Sequence, residues 1–186
     1  MTHQELRKSI RKDKIKARDS YTVEERAALS EKICKNILES SEYKSAKTIM
    51  IYKAVRGEAS LSYLEANAFD KTLVYPLCIS TEEMIALKPH GEDSWQPGYK
   101  NIPEPVRELS DLIDPKDIDL VICPCSVFDE NHNRMGMGAG FYDRFLPKCV
   151  NATIVAAAFE AQKYDDIPVD PWDKPMDAVF TELKKY

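Results

Sequence analysis

The sequence predicts an α/β fold, a three-layer α/β/α sandwich with a mostly parallel central sheet. Short apolar runs alternate with segments of helical periodicity along the 186 residues. The apolar runs at 47–52 and 72–76 are joined by one helical segment, and such a strand–helix–strand unit favours parallel pairing. Charged and glycine-rich segments follow directly after predicted strands, which is where ligands bind in folds of this class.

Two helices are predicted at the start of the chain. Residues 3–18 form the first helix, whose narrow apolar stripe consists of Leu6, Ile10 and Ala17. A second face of this helix is basic and carries Arg7, Arg11, Lys14 and Arg18. Thr22 begins the second helix as its N-cap, and Glu25 completes a capping box. The core side of the second helix is formed by Leu29, Ile33, Ile37 and Cys34.

The remaining elements alternate between strand and helix. Ser60 caps a short predicted helix that runs to residue 69. Further strands are predicted at 84–88 (an edge strand), 119–123, 153–159 and 177–181. A helix is predicted at 141–147, directly after a glycine-rich segment. Residues 89–117 contain five prolines and predict a long irregular loop, which in a compact domain often covers a ligand.

Composition bounds the class of protein. The length fits a single domain over residues 1–186, and nothing demands more than a monomer. A net charge of −5 argues against a general nucleic-acid binder. Five cysteines at irregular spacing include no C-x-x-C pair, so zinc is not expected. The longest apolar run, 154–159, is too short for a membrane span, and the charged N-terminus lacks a signal-peptide pattern. We expect a reduced, cytoplasmic protein.

The segment 134–144, Arg-Met-Gly-Met-Gly-Ala-Gly-Phe-Tyr-Asp-Arg, is the strongest functional signal. Three of the six glycines stand here at alternate positions, which lets backbone N–H groups close on an anion. Arg134 adds a positive charge, and Asp143 is suited to a metal ion. A glycine-rich turn before a helix is also often only a tight connection. No Gly-Lys-Ser/Thr follows, so the segment is not a Walker P-loop.

These residues resemble the signature of the 5-formyltetrahydrofolate cyclo-ligases, also called methenyltetrahydrofolate synthetases. In that family a strand ending in Pro precedes Phe-Asp and then Arg-Leu-Gly-x-Gly-x-Gly-Tyr-Tyr-Asp. Here the order is Cys123-Pro124, Phe128-Asp129 and the segment 134–143. Further matches span nearly the whole chain and comprise Leu6-Arg7, Gly57-Glu58, Trp95, residues 102–105, Asp173 and residues 177–182.

The resemblance implies an enzyme that uses ATP and Mg²⁺ to convert 5-formyltetrahydrofolate to 5,10-methenyltetrahydrofolate. The formyl oxygen takes the γ-phosphoryl group, N10 of the folate attacks the activated carbon, and phosphate leaves as the ring closes. ADP is the other product. Such phosphoryl transfer depends mainly on positioning and charge neutralisation, which matches the cations, glycines and carboxylates of this chain.

The resemblance also implies roles for individual residues. ATP is expected to contact His3, Arg7, Arg134, Met135, Gly136, Met137, Gly138, Ala139, Gly140, Phe141 and Tyr142. The folate substrate is expected to contact Lys53, Glu58, Trp95, Gly138 and Tyr142. Asp143 and Asp173 are the expected Mg²⁺ ligands, with Asp177 as a weaker alternative, and Arg134 and Tyr142 are the expected catalytic residues.

Two positions depart from the family pattern. Relatives often carry Lys where His3 stands, and a histidine is only partly charged near neutral pH. Ala139 occupies a position that varies between Lys and Gly, so this chain lacks a cation that some relatives have. Two alternative functions therefore stay open: a non-catalytic regulator that binds nucleotide or folate, and a sugar-phosphate isomerase or CoA-transferase-like enzyme on the same scaffold.

Overall fold

A seven-stranded sheet forms the centre of the computed structural model, which describes residues 1–98 and 101–186. Within the described residues the strands are β1 (Thr48–Met50), β2 (Thr72–Cys78), β3 (Met84–Pro89), β4 (Trp95–Pro97), β5 (Pro103–Pro105), β6 (Ser110–Ile113), β7 (Leu120–Pro124), β8 (Val127–Phe128), β9 (Arg134–Met135), β10 (Thr153–Ala157) and β11 (Ala178–Phe180). The central sheet has the order β11-β10-β7-β1-β2-β3-β6. All pairs from β11 to β2 are parallel, whereas β3 pairs antiparallel with both β2 and β6. The predicted mostly parallel sheet is therefore confirmed.

Helices cover the sheet on both faces. They are α1 (His3–Asp19), α2 (Val23–Glu39), α3 (Ser41–Ser45), α4 (Ser62–Ala66) and α5 (Phe141–Phe145). The sheet has a hydrophobic core on each face, and neighbouring side chains of β1 pack in different cores, because successive side chains of a strand point to opposite faces. Ile49 packs in the core of Ile33 and Leu64, from α2 and α4, and Met50 in the core of Phe145. The α/β class with helices on both faces is therefore confirmed.

The helix starts follow the predicted capping chemistry in part. The Thr22 hydroxyl accepts a hydrogen bond from Glu25 N–H at 3.1 Å, and the Glu25 carboxylate accepts one from Thr22 N–H, so the predicted capping box is confirmed. The helix predicted from Ser60 to residue 69 is shorter than expected, since α4 spans only Ser62–Ala66. Its N-cap position is Leu61, which makes no side-chain cap, and not Ser60. The helix predicted at 141–147 ends as α5 at Phe145 and continues as a 3-10 turn.

The prediction for residues 89–117 was wrong. Outside residues 99–100, which lie beyond the described part, this stretch contains the β4–β5 hairpin and strand β6. Strand β6 pairs with β3, so β3 is an internal strand and β6 occupies the sheet edge that was predicted for 84–88. The prolines hid the hairpin, since Pro97, Pro103 and Pro105 all lie within it, where few ladder hydrogen bonds are needed.

The apolar stripe predicted for α1 was also wrong in part. Leu6 is 38% exposed, and the buried residues of α1 are Arg7, Ile10 and Arg18. Ile10 packs in a small cluster with Val127 and others away from the two main cores. The basic face of α1 therefore points into the protein. No helix in the described ranges is long and apolar enough to cross a membrane.

Candidate active site

A cleft of about 470 Å³ opens at the carboxyl ends of β1, β2 and β7. Parallel sheets place their ligand sites at this edge. The cleft brings together most of the predicted site residues, namely Arg7, Lys53, Glu58, Arg134, residues 136–143 and Asp173. His3, Met135 and Trp95 are not part of its lining.

The glycine loop, residues 136–140, crosses one side of the cleft. Gly138 and Gly140 have φ angles of 100° and 72°, a left-handed backbone that other residues adopt only with strain. Gly140 is the N-cap of α5 and has no side chain to satisfy the first turn. Backbone N–H groups at such a turn are suited to bind an anion, as the sequence predicted.

Arg134 and Asp143 form an ion pair beneath the glycine loop. Arg134 Nη2 donates to Asp143 Oδ1 at 2.9 Å, and Nη1 donates to the carbonyl oxygen of Pro124 at 3.2 Å. The side chain of Arg134 is 2% exposed and that of Asp143 is 24% exposed. The Arg134 guanidinium also lies 5.6 Å from the centroid of the Tyr142 ring. Burial makes this charge pair strongly dependent on both partners.

Tyr142 has a buried hydroxyl that contacts the cleft. Among the described residues its oxygen finds no hydrogen-bond partner, although the atom is shielded from solvent. Burial raises the pKa of this phenol well above its usual value, so the hydroxyl stays a proton donor. A buried donor without a partner destabilises the folded protein, and a bound ligand oxygen would supply the missing hydrogen bond.

A second group of paired charges surrounds Arg7. Its Nη1 donates to Asp173 Oδ2 and, at 2.6 Å, to the carbonyl oxygen of Pro168. Its Nε lies 3.4 Å from Asp170 Oδ2, and His3 Nε2 lies 2.9 Å from Asp170 Oδ1. Asp173 Oδ2 also accepts from the Asp170 backbone N–H at 2.9 Å. The basic helix α1 is thus joined to acids more than 160 residues away.

Glu58 lines the same cleft as these cations. The turn before it has positive φ angles at Arg56 (48°) and Gly57 (78°), and Glu58 is 8% exposed. Its Oε2 accepts from the backbone N–H of Val55 at 3.0 Å. Burial raises the pKa of Glu58, although that hydrogen bond and the charges of Arg18 and Arg56 oppose the shift. A carboxylate in this position can accept hydrogen bonds from the N–H groups of a ligand.

Lys53 and Trp95 form a cluster at the border of the cleft. Lys53 Nζ contacts both carboxylate oxygens of Glu65, at 2.6 and 2.8 Å. The same ammonium group lies 4.7 Å from the Trp95 ring, which packs edge-to-face on Tyr75 at 4.7 Å. Lys53 reaches the cleft lining, whereas Trp95 borders a separate surface depression beside Tyr75.

The other predicted residues occupy different depths. Met135 is 1% exposed and packs in the cluster that contains Ile10, so its side chain belongs to the core. Met137 is 39% exposed at the cleft, and its sulfur accepts a hydrogen bond from the Ser126 hydroxyl at 3.2 Å. Ala139 and Phe141 complete the loop lining.

The structure adds three charged residues that the sequence did not assign to the site, namely Arg11, Glu104 and Asp170. Asp170 bridges His3 and Arg7, and Arg11 donates from Nε to the carbonyl oxygen of Gly136 at 2.8 Å. Both line the cleft. Arg11 was within reach of sequence reasoning, because it follows Arg7 by one helical turn on the same face. The sequence carried no comparable signal for Asp170.

Cys125 is excluded as a nucleophile. Its side chain is buried, and burial raises the pKa of its thiol to about 12, so the reactive thiolate is not populated near neutral pH. Cys123 behaves in the same way, with a pKa of about 12 caused by burial. Both act as small apolar core residues.

Two carboxylates of the cleft are candidate donors for a metal ion. In the ranges 1–98 and 101–186 no three acidic, histidine or cysteine side chains converge on one point. Asp143 and Asp173 nevertheless both line the cleft, and each pairs with an arginine. Mg²⁺ is usually bound by one or two carboxylates together with substrate phosphates and water. The carboxylates present fit an ion of that kind, which arrives with a polyphosphate.

Comparison with known proteins connects this cleft to one family. The profile of the 5-formyltetrahydrofolate cyclo-ligase family matches residues 3–182. The 5-formyltetrahydrofolate cyclo-ligase of Haemophilus influenzae is 26% identical over 91% of this chain and 94% of its own length. The enzyme of the same name from Mus musculus is 27% identical over 88% of this chain and 87% of its own length. The solved structure of Aquifex aeolicus 5,10-methenyltetrahydrofolate synthetase superimposes with a TM-score of 0.86 at 30% identity, covering 97% of this chain and 91% of that one.

Proposed function

Because the chain belongs to the 5-formyltetrahydrofolate cyclo-ligase family, we propose that this cleft performs that family's reaction with the residues described above. The protein converts 5-formyltetrahydrofolate to 5,10-methenyltetrahydrofolate and consumes ATP. One observation supports the assignment of the site most strongly. The glycine loop, its paired arginines and the buried carboxylate of Glu58 line one cleft, so an anionic and an N–H-rich ligand can meet there.

The polyphosphate of ATP lies along the glycine loop in this proposal. Backbone N–H groups of residues 136–140 and the guanidinium groups of Arg7 and Arg134 bind its oxygens. His3 acts through Asp170, since its imidazole contacts that carboxylate rather than the cleft. Asp143 and Asp173 would hold Mg²⁺, which would supply neutralisation of the phosphate charge.

The folate lies against the part of the cleft that Glu58 and Lys53 line. Glu58 accepts hydrogen bonds from N–H groups of the pterin, which orients the ring and its formyl group. Lys53 lines the same part of the cleft, where Glu65 fixes its ammonium group. The ring of Trp95 packs against that ammonium group. The Tyr142 hydroxyl, which lacks a protein partner among the described residues, donates to an oxygen that becomes negative during the reaction.

The chemistry proceeds in two displacements. The formyl oxygen attacks the γ-phosphorus, the bond to the bridging oxygen breaks, and ADP leaves with that electron pair. N10 then attacks the formyl carbon and loses its proton, and phosphate departs from that carbon as the five-membered ring closes. Arg134 and Tyr142 stabilise charge on the transferred group, and no covalent enzyme intermediate is required. The raised thiol pKa of Cys125 agrees with a route that uses no enzyme nucleophile.

We also propose that the chain works as a single-domain monomer in the cytoplasm. One continuous sheet connects its first and last strands. All five cysteines are free, which is the usual condition of proteins in a reducing compartment.

Near-ultraviolet absorbance provides the test. The purified protein is mixed with 5-formyltetrahydrofolate, Mg²⁺ and ATP, and the absorbance of the methenyl product is followed. We expect product only when all three are present. Binding of both ligands without turnover would favour the regulator, and indifference to both would favour the isomerase or transferase alternative.

A further inference from the structure

The positive charges of the cleft are not all neutralised in the same way. Arg7 contacts Asp170 and Asp173, and Arg134 contacts Asp143. Arg11 lies on the same face of α1 one turn after Arg7 and also lines the cleft. Within the described ranges no carboxylate comes within ion-pair distance of its guanidinium. The cleft therefore contains one half-buried cation whose charge is not matched by a nearby acid.

The geometry of Arg11 fixes part of its guanidinium and leaves part available. Its Nε donates to the carbonyl oxygen of Gly136 at 2.8 Å, which aligns the group with the glycine loop. The Cζ, Nη1 and Nη2 atoms lie 3.7 to 3.9 Å from the position that a Cβ would take on Gly138. Hydrogen bonds from Nη1 or Nη2 to protein atoms are absent over residues 1–98 and 101–186. The terminal donors thus lie over the centre of the loop without protein partners.

The surroundings of Arg11 are those of an anion site. Burial and the nearby positive charge of Arg7 both lower the pKa of Arg11, while the more distant Asp173 opposes this shift. An arginine remains charged under such conditions, because its guanidinium does not lose its proton in proteins. Two adjacent guanidinium groups, one without an acid partner, are stabilised when an anion with several oxygens binds between them.

We propose that Arg11 is a phosphate-binding residue of the nucleotide site, which contacts the polyphosphate through its Nη groups while Nε holds the glycine loop. This inference rests on the proposed function, because it takes the loop as the place where ATP binds. It assigns to α1 two successive phosphate contacts, Arg7 and Arg11, on one face. The planar guanidinium then links the carbonyl oxygen of Gly136 and a phosphate oxygen on the ligand side.

Nucleotides with different numbers of phosphates separate direct binding from support of the loop. The affinities of ATP, ADP and AMP are measured by calorimetry at fixed Mg²⁺ for the wild type, Arg11→Gln and Arg11→Lys. We expect Arg11→Gln to weaken ATP binding about tenfold or more, the range for one charged hydrogen bond. AMP affinity should change by less than about twofold on the same scale, since most of the polyphosphate is missing. Arg11→Lys should recover part of the ATP affinity, because it restores the charge.

Lys14→Gln is the matched control. Lys14 stands on the same helix face, but it contacts the carbonyl oxygen of Ala161 at 3.4 Å and is not part of the cleft lining. This variant makes the same change in net charge and should bind all three nucleotides as the wild type does. Thermal unfolding of each variant confirms that the fold is retained.

Three results would overturn the proposal. If Arg11→Gln weakens the binding of ATP and AMP equally, Arg11 only supports the loop. If ATP affinity is unchanged in that variant, Arg11 is not part of the site. If Lys14→Gln loses the same ATP affinity, the effect is one of general charge. Failure of the proposed function is recognised separately. A wild-type protein without folate turnover refutes the reaction, whereas the phosphate dependence of the Arg11→Gln effect is read from binding alone.

Discussion

Two turns with left-handed backbone contribute residues to the cleft, and they hold their charges differently. The glycine loop 136–140 has positive φ at Gly138 and Gly140, and the turn before Glu58 has it at Arg56 and Gly57. Around the loop, Arg7 and Arg134 are each paired with acids. After the other turn, the carboxylate of Glu58 is buried and accepts its hydrogen bond from a backbone N–H.

This difference separates two ways of keeping a site ready for charged ligands. A buried charge that keeps its partner avoids the large penalty of an uncompensated charge, but each pair must be rearranged when phosphate and metal bind. A buried acid without a cationic partner is destabilising before binding, and the ligand's N–H groups remove that penalty directly. We therefore expect substitutions on the phosphate side to act mainly on turnover and nucleotide affinity, and those at Glu58 to act on folate affinity and stability together.

Asp143→Asn should have the largest effect. Asparagine can still accept the hydrogen bond from Arg134, so the buried arginine keeps a partner while the charge for Mg²⁺ is removed. We expect turnover to fall about 100- to 1,000-fold, the range for losing one electrostatic stabiliser of a transition state. Product absorbance at saturating ATP measures the change.

Asp70→Asn is the control for this variant, because Asp70 is an exposed acid whose side chain is 78% accessible. It should leave turnover unchanged. Full activity of Asp143→Asn at low Mg²⁺ would remove Asp143 from the metal site. Asp143→Ala is a poorer test, since it leaves the charge of Arg134 buried without its partner and threatens the fold.

Arg7→Gln should raise the KM for ATP about tenfold, near the lower limit for a charged hydrogen bond. The loss is moderated because the free protein already satisfies Arg7 with Asp173 and Asp170. Initial rates over a range of ATP concentrations measure it. Lys8→Gln, on the exposed side of the same helix, should behave as the wild type. An unchanged KM in Arg7→Gln would limit Arg7 to holding the segment of Asp170 and Asp173.

Much of the fold could be predicted because its signals are local. The capping box at Thr22 and Glu25 and the apolar strand around Ile122 needed only neighbouring residues. The signature at 134–143 likewise placed the loop and Asp143 correctly in the cleft. These features depend on backbone preferences and short-range hydrogen bonds, which a single sequence displays.

Other features depend on contacts between distant parts of the chain. The inward direction of Arg7 follows from acids at 170 and 173, and the periodicity of α1 alone does not reveal these partners. Strand β6 was missed because its burial alternates weakly and its partner β3 lies more than 20 residues earlier. Whether a charged residue is buried is decided by such tertiary partners, and composition does not reveal them.

Glu58→Gln should raise the KM for the folate about tenfold and leave the KM for ATP within about twofold, since one charged hydrogen bond is lost on one side of the cleft. Steady-state rates with each substrate varied in turn measure the two effects. Glu24→Gln, which removes an exposed acid, is the control. Equal increases in both KM values would contradict the separation of the two walls.

The pH dependence of Glu58 sharpens the same comparison. Burial raises the pKa of Glu58, so the folded protein binds its proton more readily than the unfolded chain does. At pH values above the raised pKa, the buried negative charge of Glu58 lowers the free energy of unfolding by its full amount. This loss disappears as the pH falls towards the pKa that Glu58 has in the unfolded chain. Folate affinity should decline over that range, whereas Glu58→Gln should be more stable than the wild type at neutral pH and lack this decline.

Trp95→Phe should have the smallest effect, because Trp95 borders the cleft without lining it. Phenylalanine keeps an aromatic face for Tyr75 and Lys53, so we expect a loss of about 1 kcal/mol or less in stability and less than a threefold change in the KM for folate. The variant leaves Trp172 as the single tryptophan of the chain, and this residue lines the cleft. Its fluorescence then reports ligand binding during the same titration. A tenfold rise in the KM for folate would instead support direct stacking of Trp95 on the ligand, and it would extend the folate wall beyond Glu58 and Lys53.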